Sequence, residues 1–519
     1  MKNSHCMKTI CLLLAALLLL PIVSACGGKN GGETTAAATT AGAAAKTINI
    51  DGSYLMSCPT TDSTAVSLVA SIQLAASKIG VELKMNTSRT DVPEKEIVVG
   101  KADRSETEGV YSDLGEDGWK IAVIGKKVFI AGATDKALRD AVDSFIATFI
   151  SGKSIIEIQE ELCVTGNSPL MSISWKDDGE IIGAKNASGG YPRLYQLRDG
   201  TLLLAVDGMM IMRSNDKGTT WERRAVTTAN NMPGCANAAL FQTDDGTIYL
   251  GYRSTEHRTD GSFYGSIHVN YSTDNGATWS YHSCVYENIE KDGAYKGVWE
   301  PHFGMMDGKL TVFYANDSTD TTKYQNIEYK QWDEEKKEWN NRTIVCDGDK
   351  HKSRDGMPVW QQLSTGEYVC VIEAADTTND GLFCVKLTWS ADGKKWSTPV
   401  AVMRPTEKGK RCAAPYIVEL PTGQLLISCQ TDEISKKEDV YKMATVLSDG
   451  TPVRKLTEKN FSAHDYPYPD DRANQNSMWN GMLVTDDYIY TCTSPSDGLG
   501  VRINRIAIPD FLKKTKKEG

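Results

Sequence analysis

The 519-residue chain carries 57 basic against 67 acidic side chains, a formal net charge of −10, and 40% of its residues are hydrophobic. That balance excludes a nucleic acid or an anionic lipid surface as the main partner, since both demand a basic face that displaces counterions, whereas an uncharged polymer such as a glycan is compatible with it. The length exceeds the usual span of roughly 100 to 200 residues per domain, so two folded units, one of them a large β fold, are expected.

Residues 1–25 read as a targeting segment, because Lys2 and Lys8 precede an apolar run from Leu12 to Leu20 that is too short for a comfortable membrane span. The run ends in Val23-Ser24-Ala25-Cys26, which resembles the lipobox of bacterial lipoproteins. The resemblance implies cleavage before Cys26, a lipid attached there, and an extracytoplasmic protein held at the cell membrane and facing outward. Residues 26–45, mostly Gly, Ala and Thr, have little to bury and predict a flexible tether. Apart from Cys6, Cys11 and Cys26, ten cysteines are scattered without CxxC pairs or metal-ligand spacing; most are expected to be small buried hydrophobes, and some could pair outside the cytoplasm.

Residues 46–165 alternate helical and strand periodicities and predict a small α/β domain. Thr64 to Ile79 and Ala137 to Phe149 have helical apolar spacing; Glu96 to Val99, and Trp119 to Ala131 around Gly125-Lys126, read as strands. Ile97-Val98-Val99-Gly100, Gly118-Trp119-Lys120-Ile121 and Val128-Phe129-Ile130-Ala131-Gly132 resemble the non-catalytic α/β domain that precedes catalytic domains in several glycosidase families, which implies a packing role.

Residues 166–519 show a period of roughly 50 residues, the mark of a repeat architecture. Each unit is an apolar strand, a turn that contains Gly in the first five, and a second strand: Arg193 to Leu197 with Asp199-Gly200, Asn237 to Gln242 with Asp245-Gly246, Glu300 to Met305 with Asp307-Gly308, Pro358 to Leu363 with Thr365-Gly366, Pro415 to Leu420 with Thr422-Gly423, and Trp479 to Val484 with Asp486-Asp487. Six units predict a six-bladed β-propeller. The sequence Ser-x-Asp-x-Gly-x-x-Trp recurs at Ser214, Asp216, Gly218, Trp221 and at Ser272, Asp274, Gly276, Trp279, with a shortened copy at Ser390, Asp392, Gly393, Trp396. These copies resemble the Asp boxes of sialidase-type propellers, which implies a structural hairpin and no catalysis. The strand near Met171 to Trp175 is expected to close the ring by completing the last blade.

Starts of first strands and ends of second strands share one face of such a ring. That face gathers Arg193, Asn237, Glu300, Met357 and Arg411 with Asp207, Arg253, Asp317, Glu373 and Gln430, a polyol pocket in outline. Glu300, in Trp299-Glu300-Pro301-His302, and Glu373, after Val371-Ile372, have apolar or aromatic neighbours that limit hydration and suit a carboxyl pair to glycosidic cleavage.

Gly297-Val298-Trp299-Glu300-Pro301-His302-Phe303, Tyr314-Ala315-Asn316-Asp317 and Asp355-Gly356-Met357-Pro358-Val359, with Glu373 after them, resemble the exo-α-1,5-L-arabinanase family. The resemblance implies a retaining exo-hydrolase with Glu300 and Glu373 as catalytic pair and no cofactor or metal. An oligo- or polysaccharide is then the substrate, and Arg193, Asn237, Arg253, Arg354 and Arg411 are its candidate contacts. A sialidase remains as an alternative, since Tyr191-Pro192-Arg193, Arg253 and Arg411 could bind a carboxylate, though Tyr488 and Tyr490 read as strand positions. A non-catalytic glycan-binding propeller is the third.

Overall fold

The computed structural model describes residues 46–513 except 87–90, 116, 169–170, 176–178, 185–186, 188, 227–231, 233, 292–293, 319–322, 436–439, 469–475 and 495–499. The targeting segment, the tether and Cys26 lie outside the described residues. The chain divides into two compact units, Met1–Pro169 and Leu170–Gly519.

In the first unit six strands form one sheet in the order Lys84–Met85, Leu55–Ser57, Glu96–Val99, Lys127–Gly132, Gly118–Ile124, Cys163–Asn167. The first four are parallel, Gly118–Ile124 runs antiparallel to them, and Cys163–Asn167 runs antiparallel to Gly118–Ile124. Helices Ser63–Ser77 and Asp135–Phe145 start where Asp62 and Thr134 accept backbone N–H groups at their N-termini. Their apolar faces share a core with Ile97, Val99, Ile121 and Ile130.

The second unit is mainly β, a six-bladed propeller. Blade 1 runs Arg193–Gln196, Leu202–Val206, Met210–Ser214, Glu222–Val226; blade 2, Ala236–Gln242, Ile248–His257, Phe263–Ser272, Ser280–Glu290; blade 3, Val298–Met306, Lys309–Asn316, Asn326–Asp333, Glu338–Cys346. Blade 4 is Arg354–Gln362, Tyr368–Ala375, Phe383–Ser390, Val400–Met403, blade 5 Cys412–Glu419, Leu425–Thr431, Lys442–Leu447, and blade 6 Met478–Val484, Tyr488–Ser494, Val501–Ala507. The first strands touch one another in order around a closed ring. Apolar residues fill the wedges between blades, as where Trp360 of blade 4 stacks on Phe313 of blade 3 at 4.5 Å.

The Ser-x-Asp hairpins join third to fourth strands. Ser214 Oγ donates to Asp216 Oδ1 at 2.8 Å and accepts the Gly218 N–H at 2.9 Å, Asp216 accepts the Thr220 N–H, and Trp221 Nε1 donates to the Gly218 carbonyl. The same bonds recur at Ser272, Asp274, Gly276, Thr278 and Trp279. Each serves the turn itself, and Gly218 and Gly276 supply the left-handed φ of 86° and 76°.

The ring is closed by a different strand from the one expected. Glu180–Ala184 pairs with Val501–Ala507 and becomes the fourth strand of blade 6. The stretch Met171 to Trp175 instead sends Ile173 and Trp175 into the core of blades 4 to 6, with Trp175 Nε1 donating to Thr445 Oγ1 at 2.9 Å. Ile173 and Trp175 were drawn to burial, while the ladder took the segment that matched the open edge. The ten described cysteines are all free, seven of them buried.

Candidate active site

The site begins with a backbone irregularity repeated around the ring. Near the start of the first strand the ladder slips between Ala236 and Ala239, Trp299 and His302, Gly356 and Val359, Ala413 and Tyr416, and Met478 and Gly481. Inside each slip one residue takes a left-handed conformation: Asn237 (φ 57°), Glu300 (50°), Met357 (50°), Ala414 (48°) and Trp479 (56°); Tyr191 (53°) does so just ahead of blade 1. Such residues cost on the order of 1 to 3 kcal/mol each and persist where the surroundings over-determine them. Four of the bulge amides are held by the preceding blade. Asp207 Oδ1 accepts Asn237 N–H at 2.8 Å, Glu300 Oε2 accepts Met357 N–H at 3.3 Å, Glu373 Oε2 accepts Ala414 N–H at 2.9 Å, and Gln430 Oε1 accepts Trp479 N–H at 3.1 Å.

The bulges surround a cavity of about 460 Å3. One part of its wall is polar: Asp207, Asn237, Arg253, Glu300, Asp317 and Arg354. The remainder is aromatic, from Tyr191, Trp479, Trp299 and Tyr295. Tyr191, Met357 and Ala414 pack together with half-buried Trp479.

The polar groups are already organised. Arg253 donates to Asn237 Oδ1 and, at 2.9 Å, to Thr255 Oγ1, and its guanidinium lies 5.3 Å from the Trp299 ring. Asp317 Oδ1 accepts the Gly297 N–H at 2.7 Å and Trp299 Nε1 at 2.8 Å, which fixes the Trp beside Glu300. Burial raises the Asp207 carboxyl above its ordinary range. Glu300 is pushed up to about 7, first by burial and then by the charge of Glu373, against the opposing charge of Arg354. Glu373 is itself buried, paired with Arg354 Nη1 and bonded to the Ala414 amide. The two carboxyls therefore come from adjacent blades and sit in contrasting surroundings. Among the described residues no group of three or more His, Cys, Asp or Glu side chains is placed to hold a metal ion.

Of the residues expected at the site, Asn237, Arg253, Glu300 and Arg354 line the cavity, with Glu373 behind Arg354. Arg193 and Arg411 do not line it. The Arg193 guanidinium is sealed among the carbonyls of Pro192, Trp479 and Asn480, at 2.8, 3.0 and 3.1 Å, and lies 3.7 Å from the Tyr191 ring. It borders instead a second cavity, of about 620 Å3, among the first strands. Arg411 turns to Asp432, its Nε 3.7 Å from Oδ2. The reason is register: the bulge positions of blades 1 and 5 are Tyr191 and Ala414, so arginines two or three residues away face elsewhere. Tyr191, Tyr295 and Trp479 are pocket residues missed in the sequence, where their only signal is an aromatic at or just before the start of a first strand.

No family model matches the chain, and no curated protein does. Solved structures are similar to it. An α-L-arabinofuranosidase of Fusarium graminearum, in complex with an iminosugar inhibitor, is 19% identical over 67% of this chain and 100% of that one, with a TM-score of 0.49. An α-L-arabinanase of Penicillium chrysogenum, complexed with arabinobiose, is 18% identical over 63% and 96%, with a TM-score of 0.48. A NanB sialidase of Streptococcus pneumoniae is 10% identical over 68% and 74%, with a TM-score of 0.43. These three neighbours are glycoside hydrolases; at these identities the likeness concerns the fold and gives no residue a role.

Proposed function

We propose that the protein is an exo-acting glycoside hydrolase of arabinanase type that cleaves a neutral glycan, held at the cell surface by a lipid on Cys26. The observation that carries this reading is the pair Glu300 and Glu373: a carboxyl pushed up to about 7 lies beside a second that Arg354 and a backbone amide hold as an acceptor. The raised group suits a general acid and the braced one a nucleophile. Glu300 protonates the glycosidic oxygen as the bond to the anomeric carbon breaks, and Glu373 bonds to that carbon. Glu300, now anionic, takes a proton from water, whose oxygen displaces Glu373 and frees the sugar.

Two further features support the details. Tyr191, Met357 and Ala414 pack against one another at the bulges, which favours a closed pocket for a chain end over a cleft for internal bonds. Asp207, Glu300, Asp317 and Glu373 outnumber Arg253 and Arg354, and both arginines have partners, so an anionic sugar finds no free guanidinium cluster. Arg193 is sealed away, and Tyr490 donates to the Lys217 carbonyl in the Ser-x-Asp hairpin of blade 1, which weakens the sialidase alternative.

The test is release of sugar from linear α-1,5-arabinan and from a sialoside by the intact chain. Glu300→Gln and Glu373→Gln should each abolish arabinan turnover while binding persists. Turnover equal to the parent would remove both from the mechanism, and sialic acid release would replace the substrate class. Cys26→Ser should move the protein out of the membrane fraction.

A further inference from the structure

Blade 2 is taller than its neighbours. Its second, third and fourth strands have 10, 10 and 11 residues, whereas no other described strand of the ring exceeds nine. The extra length carries the Ile248–His257 and Phe263–Ser272 hairpin four residues beyond Arg253, where His257 pairs with Phe263. Strand alternation puts Arg253, Thr255 and His257 on one side, and the bond from Arg253 to Thr255 follows that side outward from the pocket.

Tyr295 leans against this wall. It occupies the apex of a three-residue turn, with the Lys296 N–H donating to the Ala294 carbonyl at 2.8 Å. Its ring is stacked on His257 at 5.7 Å with planes 18° apart, and lies 4.7 Å from Phe263 and 5.1 Å from Trp299. Phe263 and Trp299 are buried, whereas Tyr295 is 58% exposed and still lines the cavity. An aromatic ring braced by three others yet left half in water is costly to solvate and loses little freedom on meeting a ligand.

We propose that Tyr295, backed by His257, Phe263 and Trp299, is the platform for a second sugar ring, the unit adjoining the one held in the pocket. Its ligand class is the neutral oligosaccharide whose C–H face packs on the π surface, so the substrate is read as a chain of at least two units. This inference rests on the glycoside hydrolase reading above.

Glu300→Gln, which stops turnover, serves as the background for calorimetric titration with L-arabinose and its α-1,5-linked dimer and trimer. Affinity should rise with length. Adding Tyr295→Ala should remove roughly five- to ten-fold of that gain, the scale of one aromatic contact, and Tyr295→Phe should retain the gain. Length-independent affinity in the Glu300→Gln background, or a trimer that binds the double variant as tightly, overturns the platform alone. A Glu300→Gln chain that binds none of the three sugars overturns the arabinan reading and the platform with it.

Discussion

Glu300 is buried within reach of the charge of Glu373, and the pH at which the site works follows from how that conflict is resolved. Burial and the neighbouring carboxylate raise Glu300 to about 7, and Arg354 restrains the rise. If Glu300 must be protonated to act, kcat/KM should fall as pH increases through about 7. Arg354→Gln removes the restraint, so that alkaline limb should move to higher pH, with kcat reduced because Glu373 loses its ion pair; an unmoved limb would separate Glu300 from the acid role. Stability carries the same sign. A carboxyl with an ordinary value of 4.5 that is raised to about 7 on folding binds more protons in the native state between those values. Its contribution is complete below 4.5 and lost as pH rises through 7. Glu300→Gln, neutral throughout, should therefore be more stable than the parent at pH 8, with the difference closing by pH 4.5 in urea titrations.

Among the described residues blade 5 has three strands, and isolated backbone bridges with one side-chain cap cover its outer edge. The edge of Lys442–Leu447 is bridged at Thr445 to Asp465, Ser448 is bridged to Phe461, and Trp175 caps Thr445. Glu433 fastens this covering segment. Its Oε1 accepts from His464 Nδ1 and the Tyr466 hydroxyl, and its Oε2 from the Thr406 N–H at 2.9 Å and Oγ1 at 3.2 Å. Burial alone would raise this carboxyl, but the bonds from His464, Tyr466 and Thr406 prevail and hold it at about 2. Glu433→Gln should cost about 1.5 to 3 kcal/mol at pH 7, the range for bonds to a charged group, read as a lower urea midpoint at constant slope. The loss should shrink as pH falls from 4.5 toward 2, where the parent gives up the same contribution. This lock shows what the sequence could and could not convey. The six units were legible because each repeats an apolar strand and a turn, with Gly in five of them, and the place of Glu300 on the cavity wall because it stands near a strand start beside apolar neighbours. The closing strand was misplaced because two short apolar-bearing segments precede the first unit, and Glu180–Ala184 is chosen by hydrogen bonds to an edge far along the chain. Arg193 and Arg411 were misplaced because a left-handed Tyr191 or Ala414 has no compositional mark, and a slip of register redirects every side chain after it.

At the scale of the whole molecule, every residue of the proposed site, and the strand that closes the ring, belongs to the unit Leu170–Gly519. The first unit has a core of its own, drawn from its sheet and two helices. A chain spanning residues 170–519 should then unfold in one cooperative transition and retain kcat/KM within about two-fold of the full chain, since no pocket group is removed. A chain beginning at Ala187 is the discriminating partner. It keeps the same pocket residues but loses Glu180–Ala184, leaving the Val501–Ala507 edge unpaired, and it loses Ile173 and Trp175 from the core of blades 4 to 6. An open edge is a template for association, so this shorter chain, which lacks residues 170–186, should aggregate and lose its cooperative transition. Equal behaviour of the two chains would mean that the ring does not depend on this strand. Inactivity of both, with cooperative folding intact, would instead give the first unit a direct part in catalysis.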